Sequence, residues 1–377
     1  MRLELTDEQA AAARELRRLL EKHCTPGVVR AQRCTPGLWS ELAGQGWLGL
    51  PFAAEVGGGE GSLLDLGVVY EEAGRALLPT GYYATLHAGL TAVELGGTAA
   101  ADLVAGICAG TVRATVAAAE PHAEHSPSAY RTVAVRDDGG WRLTGRKAYV
   151  QSARDADTFL VLARTEAGRA VFLVRSDDAG LTITDHDTFG GDPQSLVDLD
   201  LQLPPDRLLG PDADAGPAID RVEDVVTALH ALEMAGGAAK VLEDTVAYVS
   251  GREQFGVPLG SFQAVQHHCA NMAIALEGLR WSGWHALWLL AEHGSDREAD
   301  RRAVSVAKSW ADRAYPQITL TAHQLHGGAG YVTDSDLHLY SRRAKAISLR
   351  HGSEDHHLAR LADQLLGPVH TEGDDHA

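Results

Sequence analysis

WRLTGRKAYVQSARDADTFLVLARTEAGRAVFLVRS, residues 141–176, decides how the chain divides. It alternates or runs in β-branched and aromatic residues and breaks at EAGR (166–169), the habit of strands joined by tight turns. TVRATVAAA (111–119), TVAVRD (132–137) and SLVDLDLQL (195–203) share that habit, with DDGG (137–140) and DDAG (177–180) as further turns. A central β domain over 111–216 follows, its strands ending near Leu209 and PDADAGP (211–217) serving as a linker.

Outside this region the period changes to that of helices. From Thr6 to about Val104 apolar residues recur at helical spacing, interrupted by CTPG (24–27 and 34–37), by LPFAAEVGGGEG (50–61) and by a turn before Thr98. Thr6, Asp7 and Glu8 suit a helix start, since a hydroxyl caps free amides and carboxylates complement the dipole. GGGEG lacks a preceding strand and the Rossmann spacing, so it reads as a loop. Beyond the linker, helices are expected over 218–251, 261–292, 296–324 and 336–349, with a last one ending near Leu366. The expected class is α+β multidomain: a helical N-terminal domain (1–110), a central β-barrel or sandwich (111–216), a C-terminal four-helix bundle (217–367) and a disordered tail (368–377).

With 377 residues and 45% apolar content the chain can bury a sizeable core. Its 51 acidic against 33 basic residues leave a net charge of -18, which argues against nucleic acid or an anionic membrane as main partner. An anionic substrate then needs a local basic patch. Cys24, Cys34, Cys108 and Cys269 form no CxxC pair and read as reduced thiols. The charged, amphipathic start lacks a signal core, and no stretch reads as long and apolar enough to span a bilayer, so a cytoplasmic location is expected.

GREQFGVPLGSFQAVQHHCANMA (251–273) and QLHGGAGYVTDSDLHLYSRRAK (324–345) resemble the two signature regions of acyl-CoA dehydrogenases. GLPFAAEVGGGEGSLLDLGVVYEEAGRAL (49–77) and WRLTGRKAYVQSA (141–153) resemble further segments of that family, in the same order. The resemblance covers nearly the whole chain and implies that family's fold, FAD as cofactor, and an oligomer whose subunits share each cofactor. It implies that Arg252, Phe255, Leu259, Phe262, Gln263, Gln324 and Gly328 contact FAD held mainly by a neighbouring subunit. The chemistry agrees: Arg252 offers a fork of donors to a pyrophosphate, and Gln263 and Gln324 suit adenine and ribitol groups. Gly327, Gly328 and Gly330 permit close backbone approach to a phosphate. Where the family holds the flavin ring with Thr, Ser and an aromatic-x-Thr, this sequence has Ala119, His125 or Ser126, and Tyr149 with Gln151. Backbone amides near Ala119 and the Tyr149 ring remain able to meet the flavin.

Desaturating an acyl thioester needs a base for the α-proton while a hydride leaves the β-carbon. The family places Glu either in an EGT-like motif or on the first long C-terminal helix. Here LRHGSED puts His351 at the first place, followed by Gly352 and by Ser353, assigned to the cofactor, and TALHALEMAGG puts His230 at the second. His230 and Glu233 share a helix face, so the carboxylate is expected to orient the imidazole and raise its pKa. His351, Glu354, Asp355, His356 and His357 form a helix start without matched ligand clusters, and no metal is expected. Trp281, Trp284 and Trp288 at helical spacing read as core or subunit packing.

The first functional reading is FAD-dependent α,β-dehydrogenation of an acyl thioester on CoA or a carrier protein, with an electron-transfer flavoprotein as acceptor. The second is a half-site or non-catalytic subunit of a mixed oligomer. The third is oxidase or monooxygenase chemistry on the same scaffold.

Overall fold

The computed structural model describes residues 4–121, 130–292, 297–332 and 335–367; the tail expected over 368–377 lies outside them. Eight strands form one sheet: β1 (Ala114–Ala117), β2 (Val133–Asp137), β3 (Gly140–Gln151), β4 (Thr158–Thr165), β5 (Gly168–Arg175), β6 (Leu181–His186), β7 (Gln194–Leu203) and β8 (Leu208–Leu209). Their order is β6-β7-β3-β2-β4-β5-β8, with β1 beside β4. All ladders are antiparallel except β1 with β4 and the single β2 pair Val133 with Arg164.

The three turn signals perform as read. DDGG closes the β2–β3 hairpin with Asp137 opposite Gly140, and EAGR closes β4–β5 with Thr165 opposite Gly168. In DDAG, Gly180 has φ +96, and a Cβ there would lie 2.0 Å from the Asp200 carbonyl oxygen, so no other residue fits. The inward positions Leu143, Val150, Phe159, Val161, Phe172, Val174, Val197 and Leu199 make the sheet's core.

Before the sheet come α1 (Asp7–His23), α2 (Pro26–Ala31), α3 (Pro36–Gly44), α4 (Leu63–Arg75), α5 (Gly81–Leu95) and α6 (Thr98–Cys108). Each CTPG is a helix start: Thr25 and Thr35 precede Pro at the first helical turn, and Thr35 Oγ1 accepts from the Leu38 amide at 3.2 Å. After it come α7 (Gly216–Gly251), a two-residue-strand hairpin of β9 (Glu253–Gln254) and β10 (Val257–Pro258), then α8 (Gln263–Glu292), α9 (Arg297–His326), α10 (Leu337–Ile347) and α11 (Glu354–Leu366). Helices, a central sheet and a helical bundle follow one another as the change of period requires. All four cysteines are free thiols.

By packing, residues 7–66 and 76–226 form one unit, and 67–75 with 227 onward form another. In the second unit the last part of α4 lies directly on α7. A Cβ on Gly74 would meet the Glu233 carbonyl oxygen at 1.9 Å, and one on Gly236 would meet that of Glu71 at 1.8 Å. Reciprocal glycines thus set the spacing of two helix backbones. One expectation is corrected: α7 is long and apolar enough to cross a membrane by length and composition, and most of its apolar window is buried in the protein. A helix apolar on every side is what the centre of a bundle requires.

Candidate functional site

Every residue of α7 from Thr227 to Ala238 is buried, and only two of them are ionisable, His230 and Glu233. Buried ionisable groups are costly unless paired. These two lie three apart on one helix face, and His230 Nδ1 meets Glu233 Oε2 at 2.6 Å. The other carboxylate oxygen accepts from Arg343 of α10, whose Nε lies at 2.9 Å and whose terminal nitrogen is also in contact. Arg343 is 3% exposed. The sequence reading missed it, although it stands in SRRAK on a face where one arginine must turn inward.

Burial alone would raise the Glu233 carboxyl, but Arg343 and the His230 hydrogen bond outweigh it and hold it down at about 2. Glu233 is therefore an anion whose charge is shared with a guanidinium. His230 responds differently from the expectation. Burial pushes its pKa down to about 3, and the upward pull of Glu233, spent largely on Arg343, does not reverse this. The imidazole is neutral, donates Nδ1–H to Glu233, and directs its basic lone pair to Nε2.

His351 lies in the turn between α10 and α11 and is half-buried. Its ring stacks on that of His230, with centroids 5.0 Å apart and planes at 22°. Tyr70 of α4 meets His230 edge-on at 5.7 Å. The two candidate base positions, 121 residues apart by subtraction, thus converge. Ser353, assigned to the cofactor, caps α11 by accepting from the His356 amide at 3.5 Å. Nearby, Glu354 pairs with Arg313, and among the described residues no three His, Cys, Asp or Glu side chains converge as a metal would need.

At one end of the same unit, Arg252 follows α7 directly and is exposed, and its guanidinium has no partner among the described residues. The chain then turns through Phe255 (φ +55) and Gly256, and the Leu259 amide returns to the Arg252 carbonyl at 2.8 Å. Phe255 is 92% exposed and meets Phe262 edge-on at 6.1 Å, one residue before Gln263 opens α8. Tyr248 stacks on His326 at 4.3 Å, which joins the end of α7 to the end of α9. There Gln324 is exposed, and among the described residues nothing lies within 4 Å of where a Cβ would stand on Gly327 (φ +57) or Gly328. All seven residues assigned to a partner's cofactor therefore lie on two adjoining segments. Gly330 differs: it is buried, with His326 Cβ 3.0 Å from its Cβ position, so it serves packing.

In the sheet unit, the Ala148 amide donates to the Ala119 carbonyl at 2.9 Å, which brings the end of β1 to the irregularity between Lys147 and Val150. Tyr149 sits in that irregularity with φ +56, is 59% exposed, and stacks on His186 at 6.2 Å. The Gln151 carbonyl accepts from Thr115 Oγ1 at 2.7 Å. His125 and Ser126 lie outside the described residues. A second buried pair escaped the sequence reading. Lys147 Nζ donates to Glu120 Oε1 at 2.7 Å and to the Ala118 carbonyl at 3.0 Å, while Glu120 accepts the Arg131 and Thr132 amides. Its signal was a lysine at an inward position of β3.

Of the three tryptophans, Trp284 is buried and donates to Glu71 at 3.0 Å. Trp281 donates to Glu277, and Trp288 stacks on His285.

Comparison with known families gives matches to the acyl-CoA dehydrogenase N-terminal domain over residues 6–102, the middle domain over 115–202 and the C-terminal domain over 226–366. The chain is 30% identical to an L-prolyl-[peptidyl-carrier protein] dehydrogenase of a Serratia species over 330 residues, 83% of each chain. It superposes on the Tcur3481-Tcur3483 steroid ACAD with a TM-score of 0.85 and 35% identity, covering 96% of this chain and 98% of that one. It superposes on a chain of the ChsE4-ChsE5 complex from Mycobacterium tuberculosis with a TM-score of 0.89 and 26% identity, covering 98% and 100%.

Proposed function

Because the chain belongs to the acyl-CoA dehydrogenase family, we propose that it dehydrogenates an acyl thioester between its α and β carbons with FAD as cofactor. The observation that carries this is the stacking of His351 on His230, which is itself bonded to the Glu233–Arg343 pair on a buried and otherwise apolar stretch of α7. FAD, when bound, would take up the hydride that leaves the β-carbon.

The residues suit that cofactor. Among the described residues Arg252 is an exposed cation without a partner and nothing crowds the Cβ positions of Gly327 and Gly328, while Phe255 presents an exposed ring. These, with Leu259, Phe262, Gln263 and Gln324, would hold the dinucleotide of a neighbouring subunit. Ala119, Tyr149 and Gln151 would meet the chain's own flavin.

His230 is the base in this reading. Its Nδ1–H is fixed on Glu233, so Nε2 takes the substrate's α-proton, and the Glu233 carboxylate stabilises the imidazolium that forms. Arg343 keeps the carboxylate ionised and in place. Because the resting imidazole is already neutral, no titration of His230 near its ordinary value governs activity. An electron-transfer flavoprotein is the proposed acceptor and the cytoplasm the proposed location. CoA and a carrier protein are both open as thioester carriers, the second supported by the Serratia relative's name and a steroid-bearing acyl group by that of the 35% identical structure.

The test is anaerobic titration of the purified holoprotein with a panel of acyl thioesters, watching flavin bleaching. Bleaching by one class supports the reading, and none by any class overturns it. A mixed-oligomer subunit is the second reading. It is favoured by the lack of a carboxylate at either base position and by two relatives named as pairs of components. Colourless protein that gains flavin only when co-expressed with a homologous chain would establish it.

A further inference from the structure

The His351 turn is held by side chains that the dehydrogenase reading does not use. Lys308 of α9 is fully buried, and Asp312, one turn later, is nearly so. An ammonium has three donors. Lys308 Nζ lies 2.6 and 2.7 Å from the two Asp312 oxygens and 2.9 Å from the Gly352 carbonyl oxygen, so all three are used. The preceding carbonyl, that of His351, accepts from His357 Nε2 of α11 at 2.8 Å, and His357 Nδ1 lies 3.4 Å from Ser305 Oγ, again on α9.

These bonds grip an unfavourable backbone. His351 has φ +54 and Gly352 φ +93, two left-handed residues in succession. For a residue with a Cβ that conformation is disfavoured, because the Cβ crowds the following carbonyl oxygen. A Cβ on Gly352 would stand 2.5 Å from His356 Cδ2 and 2.8 Å from His357 Nε2, so the turn and the α11 histidines are built around each other. A buried ion pair is also a poor route to stability, since an apolar pair of similar volume often does better. An i,i+4 pair could equally sit on a helix surface. What its burial adds here is the third bond, from α9 to the turn.

We propose that Lys308, Asp312 and His357 are positioning residues that clamp the main chain of residues 351–352 and thereby hold the His351 ring against His230. The proposal rests on the dehydrogenase reading for its consequence in catalysis, while the clamp itself is measurable apart from it. Released from the two carbonyl bonds, His351 relaxes toward the right-handed region and its ring leaves His230.

The test uses the holoprotein with two readouts, on variants chosen to keep the fold. Lys308→Met with Asp312→Leu replaces the pair by apolar residues. His357→Leu removes the other donor, and His357→Gln retains an N–H at the same reach. The first readout is the rate at which diethyl pyrocarbonate modifies His351, by peptide mass spectrometry, with exposed His267 and His268 as internal standards. It is expected to rise at least threefold in the double variant and in His357→Leu, and to stay near wild type in His357→Gln. Unchanged His351 labelling in both disruptive variants overturns the clamp. The second readout is single-turnover flavin reduction, expected to slow tenfold or more in the same two variants with less than a twofold change in substrate Kd. Raised labelling with unchanged reduction overturns the positioning role. If the wild type reduces no flavin with any thioester, the dehydrogenase reading fails and the labelling alone decides the clamp.

Discussion

At His230, burial and a carboxylate pull in opposite directions, and burial wins because Arg343 already holds Glu233. The substitution that isolates its chemistry is His230→Gln, which can still donate to Glu233 but has no basic nitrogen. Flavin reduction by substrate is expected to fall by about 10²–10⁴-fold with bound FAD retained, and stopped-flow reduction at equal FAD occupancy checks it. Wild-type rates would end the assignment. The same burial has a consequence for stability. His230 and His357 are both pushed down to about 3 in the fold, against an ordinary 6.5. Below pH 6.5 the unfolded chain therefore binds a proton at each that the folded chain refuses. Their contribution is fully present above 6.5 and is lost as pH falls toward 3, by about 1.4 kcal/mol per pH unit per histidine. Urea unfolding between pH 6 and 5 should show a slope shallower by about that amount in His357→Gln; an unchanged slope would mean that His357 is protonated in the fold.

At the scale of elements, the contact of α4 with α7 depends on Gly74 and Gly236, each of which leaves room for a carbonyl of the other helix. Gly236→Ala should destabilise by about 1–3 kcal/mol through overpacking, measured by urea unfolding. Gly251→Ala, at the far end of the same helix with nothing within 4 Å of its Cβ position, should be neutral or better. Equal effects would show that the helix contact is not tight. The segment after α7 behaves otherwise, since it is exposed and carries little of the fold. Arg252→Ala is expected to weaken FAD retention markedly while leaving the apoprotein's Tm within about 1 °C, because exposed substitutions rarely exceed about 0.5 kcal/mol. Equal FAD occupancy in variant and wild type, by absorbance after gel filtration, would remove Arg252 from the site.

For the whole molecule, Phe255 is 92% exposed, and the cofactor reading places it against a neighbouring subunit. Native mass spectrometry of the protein expressed alone should therefore report an oligomer carrying FAD. A flavin-free monomer that assembles only with a homologous chain would favour the mixed oligomer.

Period and turn chemistry lie in the chain itself, so the sequence alone determined the sheet between two sets of helices, the hairpins at DDGG and EAGR, and the family through its two signature regions. Helical spacing likewise put Glu233 beside His230. Only the tertiary structure decided what that pairing does, because a pKa depends on burial and on charges far away in sequence: Arg343 stands 110 residues beyond Glu233 and changes the outcome. The same holds for the turn at His351, whose carbonyl is bonded by His357 while that of Gly352 is bonded by Lys308, from a helix the sequence does not place beside it. The apolar length of α7, too, has one meaning in a bilayer and another at the centre of a bundle, and what surrounds a helix is written in the fold.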